Sequence, residues 1–112
     1  MSYKSHFLHF LNCYAKKDIH GISQMLADDV TLRDWNISVH GRAEVEAATQ
    51  QNFRDAESIE IDVLHVYESQ DAVVGELKIV VDRTIELYIV DVIQFDSASK
   101  LNAIRSYKGR AS

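Results

Sequence analysis

The sequence is poor in the residues that usually mark special protein classes: it has no proline, one cysteine, one tryptophan and four glycines. Because Cys13 is the only cysteine, the chain cannot form an internal disulfide, which is typical of a protein from a reducing compartment. An apolar run of about 18 residues is absent, and "MSYKSHFLHF" lacks the uncharged apolar core of a signal peptide. We therefore expect a soluble cytoplasmic protein.

Basic residues are few and scattered: 12 Lys and Arg stand against 17 Asp and Glu, for a net charge of −5. There is no basic run with interleaved aromatic residues, so neither nucleic acid nor a membrane is an expected partner. No cofactor signature is visible, and His6, His9 and Cys13 lack a carboxylate that would complete a metal site. We expect no cofactor and no metal. The 112 residues suffice for one domain, spanning 1–112.

The first half of the chain predicts three helices. The first has the i, i+3, i+4, i+7 stripe of an amphipathic helix, formed by Phe7, Phe10, Leu11 and Tyr14. It should end near residues 16–17, since lysines suit a helix C-terminus. Asp18 is placed as the N-cap of a short second helix, and Gly41 should begin the third. Between the last two, alternation predicts one strand over residues 30–39.

From residue 59 onwards the pattern predicts strands alone. Short separators rich in turn-forming residues divide four segments, "IEIDVLHVY", "AVVGELKIVV", "IELYIVDVIQF" and "LNAIRSYK". Helices followed by a four-stranded meander indicate an α+β fold, in which helices pack on one face of an antiparallel sheet. Gly75 lies inside the second of these strands and predicts a bulge.

A carboxylate interrupts the apolar side of the third of these strands. Alternate residues along it are large and apolar except for one, in the series Ile85, Leu87, Ile89, Asp91, Ile93 and Phe95. Burying an ionised carboxylate is costly unless it is paired or protonated. Asp91 is therefore either a functional acid with a raised pKa or a structural acid bonded to a tyrosine or paired with Lys108 or Arg105.

A second acid, Asp34, has a similar setting. It continues the apolar series of Val30 and Leu32 and precedes Trp35. Two strands would then each direct a carboxyl group towards the helix-covered side of the sheet. If the helices leave space there, the result is an apolar pocket with few polar groups, which is the usual form of a small-molecule site. The alternative is that Asp34 caps a turn near solvent.

Several segments resemble the nuclear transport factor 2-like superfamily, which includes ketosteroid isomerase and the SnoaL-like polyketide cyclases. The segments are "KDIHGISQMLADDVTLRDW", "HGRAEVEA", "IVDVIQFD" and "IRSYKG". The resemblance implies a cone-shaped α+β roll of the cystatin-like or nuclear transport factor 2-like type. A curved antiparallel sheet wraps around the N-terminal helices and leaves a deep pocket, without a cofactor in many members. Many members are homodimers.

Within that superfamily the chain is most similar to ketosteroid isomerase, which implies proton transfer beside a carbonyl of a hydrophobic substrate. The general base of that enzyme corresponds to Asp34, and its protonated oxyanion-hole acid corresponds to Asp91. The oxyanion-hole tyrosine corresponds to Phe10, which has no hydroxyl, so Tyr14, one turn later, is the candidate substitute. The other implied pocket residues are Trp35, Phe53, Ile89, Ile104 and Lys108.

Two further readings stay open. Lys108 stands where relatives commonly carry a tryptophan, and a cation there would suit a non-catalytic pocket that binds a small hydrophobic or anionic ligand. The chain could also be a structural or dimerisation module with a filled pocket. The other side of the Asp91 strand has apolar residues at its centre, from Tyr88 to Val92. Because a strand apolar on both sides is usually covered on both, we expect a homodimer through the outer sheet face.

Overall fold

The computed structural model describes residues 2–110. Its elements, in chain order, are α1 (Tyr3–Ala15), α2 (Ile19–Met25), β1 (Leu26–Arg33), β2 (Ser38–His40), α3 (Arg42–Asp55), β3 (Ile59–Glu68), β4 (Ala72–Val81), β5 (Ile85–Phe95) and β6 (Leu101–Lys108). The predicted helices-first, strands-later α+β layout is confirmed. Within the described residues, no helix combines the length and apolarity needed to cross a membrane.

The helix ends follow the local signals in the sequence. Ser2 caps α1 by accepting a hydrogen bond from the backbone N–H of Ser5 at 3.1 Å. The chain leaves α1 through Lys17, whose φ of 58° stops the helix. Asp18 caps α2, as predicted, because its Oδ1 accepts from the N–H of Gly21 at 2.9 Å. Gly41 precedes α3.

The six strands form one curved, unclosed sheet in the order β2-β1-β6-β5-β4-β3. The last four strands make the predicted antiparallel meander. Strand β1 pairs with the side of β6 that faces away from β5, and it runs parallel to β6. The helices pack on one face of this sheet. Alternate β5 residues facing them are buried from Ile89 to Phe95, so the predicted inward series that includes Asp91 is confirmed.

The single strand predicted over residues 30–39 is wrong. The chain instead turns between β1 and β2, which pair antiparallel with Arg33 opposite Ser38. The turn forms at Asp34 because its Oδ1 accepts backbone hydrogen bonds from Asn36 at 2.7 Å and Ile37 at 2.9 Å. Aspartate favours this local geometry over a continuing strand.

The bulge predicted at Gly75 is also wrong. Gly75 pairs regularly with Val66 and Asp91, and the register shift lies in β3, between Val63 and His65. Glycine is present because the fully buried ring of Phe7 packs onto its Cα: a Cβ built there would lie 2.7 Å from Phe7 Cε2. A close approach is the other common reason for a glycine inside a strand.

Candidate functional site

A cavity of about 300 Å³ lies between the helices and the inner sheet face. Most of its walls are apolar side chains, contributed by α1, α2, α3 and all strands except β2. The polar side chains in the lining are few, namely Asp34, Asn36, Thr49, Asn52, Asp55, Asp91 and Ser106. An apolar cleft with a few converging polar groups is the usual form of a small-molecule site.

Asp91 is the buried acid of this cavity, with 7% of its surface exposed. Its Oδ1 accepts a hydrogen bond from the hydroxyl of Ser106, 2.6 Å away on the neighbouring strand. Burial raises the pKa of Asp91 to about 6, and the Ser106 bond opposes this rise only in part. Asp91 therefore keeps its proton up to a higher pH than an exposed aspartate does.

Tyr14 brings a phenol to the same cavity from the C-terminal end of α1. Its ring contacts Phe53 edge-on with centroids 5.0 Å apart, and it packs against Phe10 at 6.0 Å. The Asn52 side-chain amide donates a hydrogen bond to the Tyr14 hydroxyl oxygen at 3.0 Å. Burial raises the pKa of Tyr14; Asn52 lowers it, and the charges of Asp91 and Asp34 add to the rise. The phenol therefore keeps its proton at neutral pH.

Asp34 lies in the turn after β1 and also lines the cavity. Asp34 does cap a turn, as the alternative interpretation expects: its Oδ1 accepts the two backbone hydrogen bonds of that turn. Those bonds hold the carboxyl group in one orientation beside the cavity. Capping and a role in the site are thus compatible for this residue.

The cation expected in the pocket lies outside it. Lys108 sits at the exposed end of β6 with its Nζ 5.9 Å from the centroid of the Trp35 ring, which is 46% exposed. None of the ion pairs among residues 2–110 involves Asp91, and Arg105 donates to Gln94 at 2.7 Å instead. The structural alternative in which Lys108 or Arg105 neutralises Asp91 is therefore wrong.

The remaining predicted pocket residues divide into two groups. Phe10, Trp35, Ile89 and Ile104 line the cavity together with the three candidate catalytic residues. Phe53 lies behind the wall, where its buried ring supports Tyr14, so its placement in the lining is corrected. The structure thus brings together residues from α1, β5, β6 and the turn after β1.

Five polar residues of the lining were missed from the sequence: Asn36, Thr49, Asn52, Asp55 and Ser106. Ser106 lies two residues after Ile104 on β6, so strand alternation could have placed it on the inner face. Asn52 follows Thr49 by three residues on α3, a spacing that puts both on one helix face. Asp55 ends the same helix and had no signal, because an acid at a helix end is ordinarily solvated.

Other chemistry-bearing side chains lie away from the cavity lining. Cys13 is buried and unpaired, with its Sγ 3.6 Å from Nε2 of His9. Burial, followed by the charge of Asp18, raises the pKa of the Cys13 thiol, so the group is not an activated nucleophile. Among residues 2–110, no three His, Cys, Asp or Glu side chains converge as metal ligands.

Comparison with known sequences gives one family. A family model described as a SnoaL-like domain matches residues 7–101. No curated protein matches the sequence significantly.

Solved structures share the fold at low sequence identity. An NTF2-like protein of unknown function from Cytophaga hutchinsonii has a TM-score of 0.82 at 9% identity, covering 97% of this chain and 91% of that one. A protein from Kribbella flavida, provisionally described as a ketosteroid isomerase, has a TM-score of 0.82 at 11% identity, covering 98% of this chain and 79% of that one. An LEH-like epoxide hydrolase from M. tuberculosis has a TM-score of 0.78 at 15% identity, covering 92% of this chain and 79% of that one. These similarities confirm the predicted nuclear transport factor 2-like fold.

Proposed function

Since the chain belongs to the SnoaL-like domain family, we propose that its cavity binds a small, largely apolar carbonyl compound and that the protein moves a proton beside that carbonyl. One observation carries the proposal: Asp91, Tyr14 and Asp34 line the same cavity. The chemistry needs a carboxylate to accept the proton and donors to stabilise the resulting oxyanion.

The proposed reaction is an isomerisation. Asp34 takes a proton from the carbon next to the carbonyl, and the electron pair of that C–H bond moves to the carbonyl oxygen. The Tyr14 hydroxyl and protonated Asp91 donate hydrogen bonds to this oxyanion. Asp34 then returns the proton to another carbon of the same molecule, so atoms and charge balance without an oxidant or a cofactor.

The state of Asp91 supports its role as a donor. Burial is the main reason that its pKa reaches about 6. An apolar ligand that displaces water from the cavity would raise the pKa of Asp91 further, because the ionised carboxylate would lose more of its solvation. Ligand binding is thus expected to favour the protonated acid, which can donate to an oxyanion.

The alternative function is ligand binding without turnover. The observation that favours it is Phe10, a 5% exposed side chain in the cavity wall at the position where the resemblance implies a tyrosine. Losing one oxyanion donor typically lowers a rate about 10²–10³-fold. The two functions share the same site and differ in whether the bound molecule reacts.

An exchange assay separates them. A β,γ-unsaturated cyclic ketone is incubated with the protein in heavy water, and deuterium uptake and conjugation are followed by NMR and ultraviolet absorbance. Wild type should exceed buffer, and Asp34→Asn should be slower by about 10²–10⁴-fold. Asp62→Asn, at an exposed position of β3, is the matched control. A wild-type rate equal to that of buffer, with the ketone bound, would establish the non-catalytic function.

We also propose that the protein is a cytoplasmic homodimer that pairs through the outer sheet face. The central outward residues of β5, Tyr88, Val90 and Val92, are only half-buried in one chain. A second copy would cover them. The low cysteine content is in keeping with the cytoplasmic location, since disulfide-stabilised domains of oxidising compartments carry several cysteines.

A further inference from the structure

The charge of the cavity lining has one sign. Three lining residues are acids, Asp34, Asp55 and Asp91, whereas no Lys, Arg or His occurs among the described residues that line it. Asp55 is the last residue of α3 and stands at the negative end of the helix dipole, which Lys17 offsets in part by donating to the backbone oxygen of Ala56. The cavity is thus apolar in its walls and acidic in its polar groups.

Each of these carboxyl groups has an oxygen available to a ligand. Oδ1 is used in all three: Asp34 accepts from the turn, Asp55 from Gln51 at 2.8 Å and Asp91 from Ser106. Within residues 2–110, Oδ2 of these acids takes part in none of the hydrogen bonds or ion pairs. Asp91 lines the cavity and is more than nine-tenths buried, so little of its carboxyl group meets bulk solvent.

Cations that could have neutralised the rim make other contacts. Lys17 donates to the backbone oxygens of Ala56 and Glu57, and Arg54 donates to Gln51 Oε1 at 2.9 Å. Lys108 lies over Trp35. Within residues 2–110, none of these three cations forms an ion pair with an acid of the lining.

From this arrangement we propose that the ligand is a hydrophobic amine: an apolar body that fills the cavity, with a protonated amino group held at the rim by Asp55, while Asp34 stays available as the base. The proposal keeps the hydrophobic body expected from the sequence and gives it a cationic rather than an anionic group, because an anion would meet three acids there. The inference rests on the proposed function only in using the same cavity, and it names the class of substrate.

Three adamantane derivatives of matched shape test the ligand class by calorimetric titration near neutral pH. They are 1-aminoadamantane, 1-adamantanol and 1-adamantanecarboxylate, which are cationic, neutral and anionic. The amine should bind at least about tenfold more tightly than the alcohol, and the carboxylate more weakly than both. High salt should reduce the advantage of the amine, since salt screens the partly exposed rim charges.

Variants locate the charge that matters. Asp55→Asn should weaken binding of the amine severalfold and leave the alcohol unchanged, whereas Asp62→Asn, with the same change of charge on β3, should alter neither. Lys108→Met should strengthen binding of the amine by removing a like charge. Because Asp55 lies exposed at a helix end, Asp55→Asn should fold normally. The salt dependence of amine binding to wild type tests the contribution of charge without any substitution.

The outcomes distinguish this inference from the proposed function. If the alcohol binds as tightly as the amine, or if Asp62→Asn has the same effect as Asp55→Asn, the amine specificity is overturned and the carbonyl chemistry remains open to its own assay. If turnover is absent but the amine binds preferentially, the proposed reaction fails and the ligand class stands. If none of the three binds, the amine specificity is overturned, and the carbonyl reaction is judged by the exchange assay alone.

Discussion

Asn52 donates its side-chain amide to the hydroxyl oxygen of Tyr14, joining α3 to α1 across 3.0 Å at the cavity. Because this oxygen already accepts a hydrogen bond, the phenolic proton is free to point towards another acceptor. The Tyr14 ring cannot easily turn away, since Phe10 and Phe53 pack against it. The pair therefore presents a fixed O–H donor to a ligand in the cavity.

Asn52→Leu should raise the already raised pKa of Tyr14, because the hydrogen bond from Asn52 stabilises the phenolate. The measurement is an ultraviolet titration of tyrosinate, with Tyr14→Phe subtracted to isolate the signal of Tyr14. Gln50→Leu, an exposed neighbour on α3, is the control and should leave the titration unchanged. An unaltered Tyr14 titration in Asn52→Leu would show that the bond does not form in solution.

Asp91→Asn should stabilise the fold at neutral pH. The pKa of Asp91 is about 6 in the folded protein against an ordinary 3.8, so the folded state holds its proton over a range where the unfolded chain loses it. The free energy of unfolding should therefore fall as pH rises from about 4 to about 6 and then level off. At about 1.4 kcal/mol per pKa unit, the difference is on the order of 3 kcal/mol.

Urea unfolding of wild type and Asp91→Asn across this pH range checks the assignment. The difference between the two proteins should be smallest in acid and largest above the pKa of Asp91. All other titrating groups are common to both chains and cancel in that difference. A difference that stays constant with pH would mean that Asp91 has an ordinary pKa and is not a buried proton donor.

Gly75→Ala should destabilise the protein by about 1–3 kcal/mol, the range for overpacking a core. The added Cβ would overlap the ring of Phe7, which is fully buried. Thermal unfolding of the single variants and of Phe7→Leu/Gly75→Ala checks the cause. The loss in the double variant should be smaller than the sum of the two single losses; simple additivity would assign the effect to strand propensity instead.

The proposed homodimer predicts twice the monomer mass in equilibrium sedimentation at micromolar concentration. Val92→Lys should dissociate it, since Val92 lies at the centre of the outer face and would place a charge in the interface. Val63→Lys is the matched control, because Val63 pairs with Leu77 on the inward-facing side and is 38% exposed. A monomeric wild type would exclude the interface.

Sequence periodicity alone determined the helices, the last four strands and their buried faces, but it missed the turn that separates β1 from β2. The stripe of Phe7, Phe10, Leu11 and Tyr14 specified the inner side of α1, and the alternation along β5 specified that Asp91 points inwards. Such patterns can be read locally because helix and strand geometry repeat every few residues. The bulge predicted at Gly75 was wrong because a glycine inside a strand can mark either a bulge or a close contact. The contact here is with the ring of Phe7, which is distant in the chain.

Only the tertiary structure decided how the polar groups of the cavity pair. The Tyr14–Asn52 bond joins residues 38 apart in sequence, and Ser106 reaches Asp91 only because β5 and β6 lie side by side. Lys108, expected beside Asp91, lies instead over Trp35 at the rim. Contacts of this kind join residues that are distant in sequence and form only when the elements pack together. The spacing of residues along the chain therefore does not predict them.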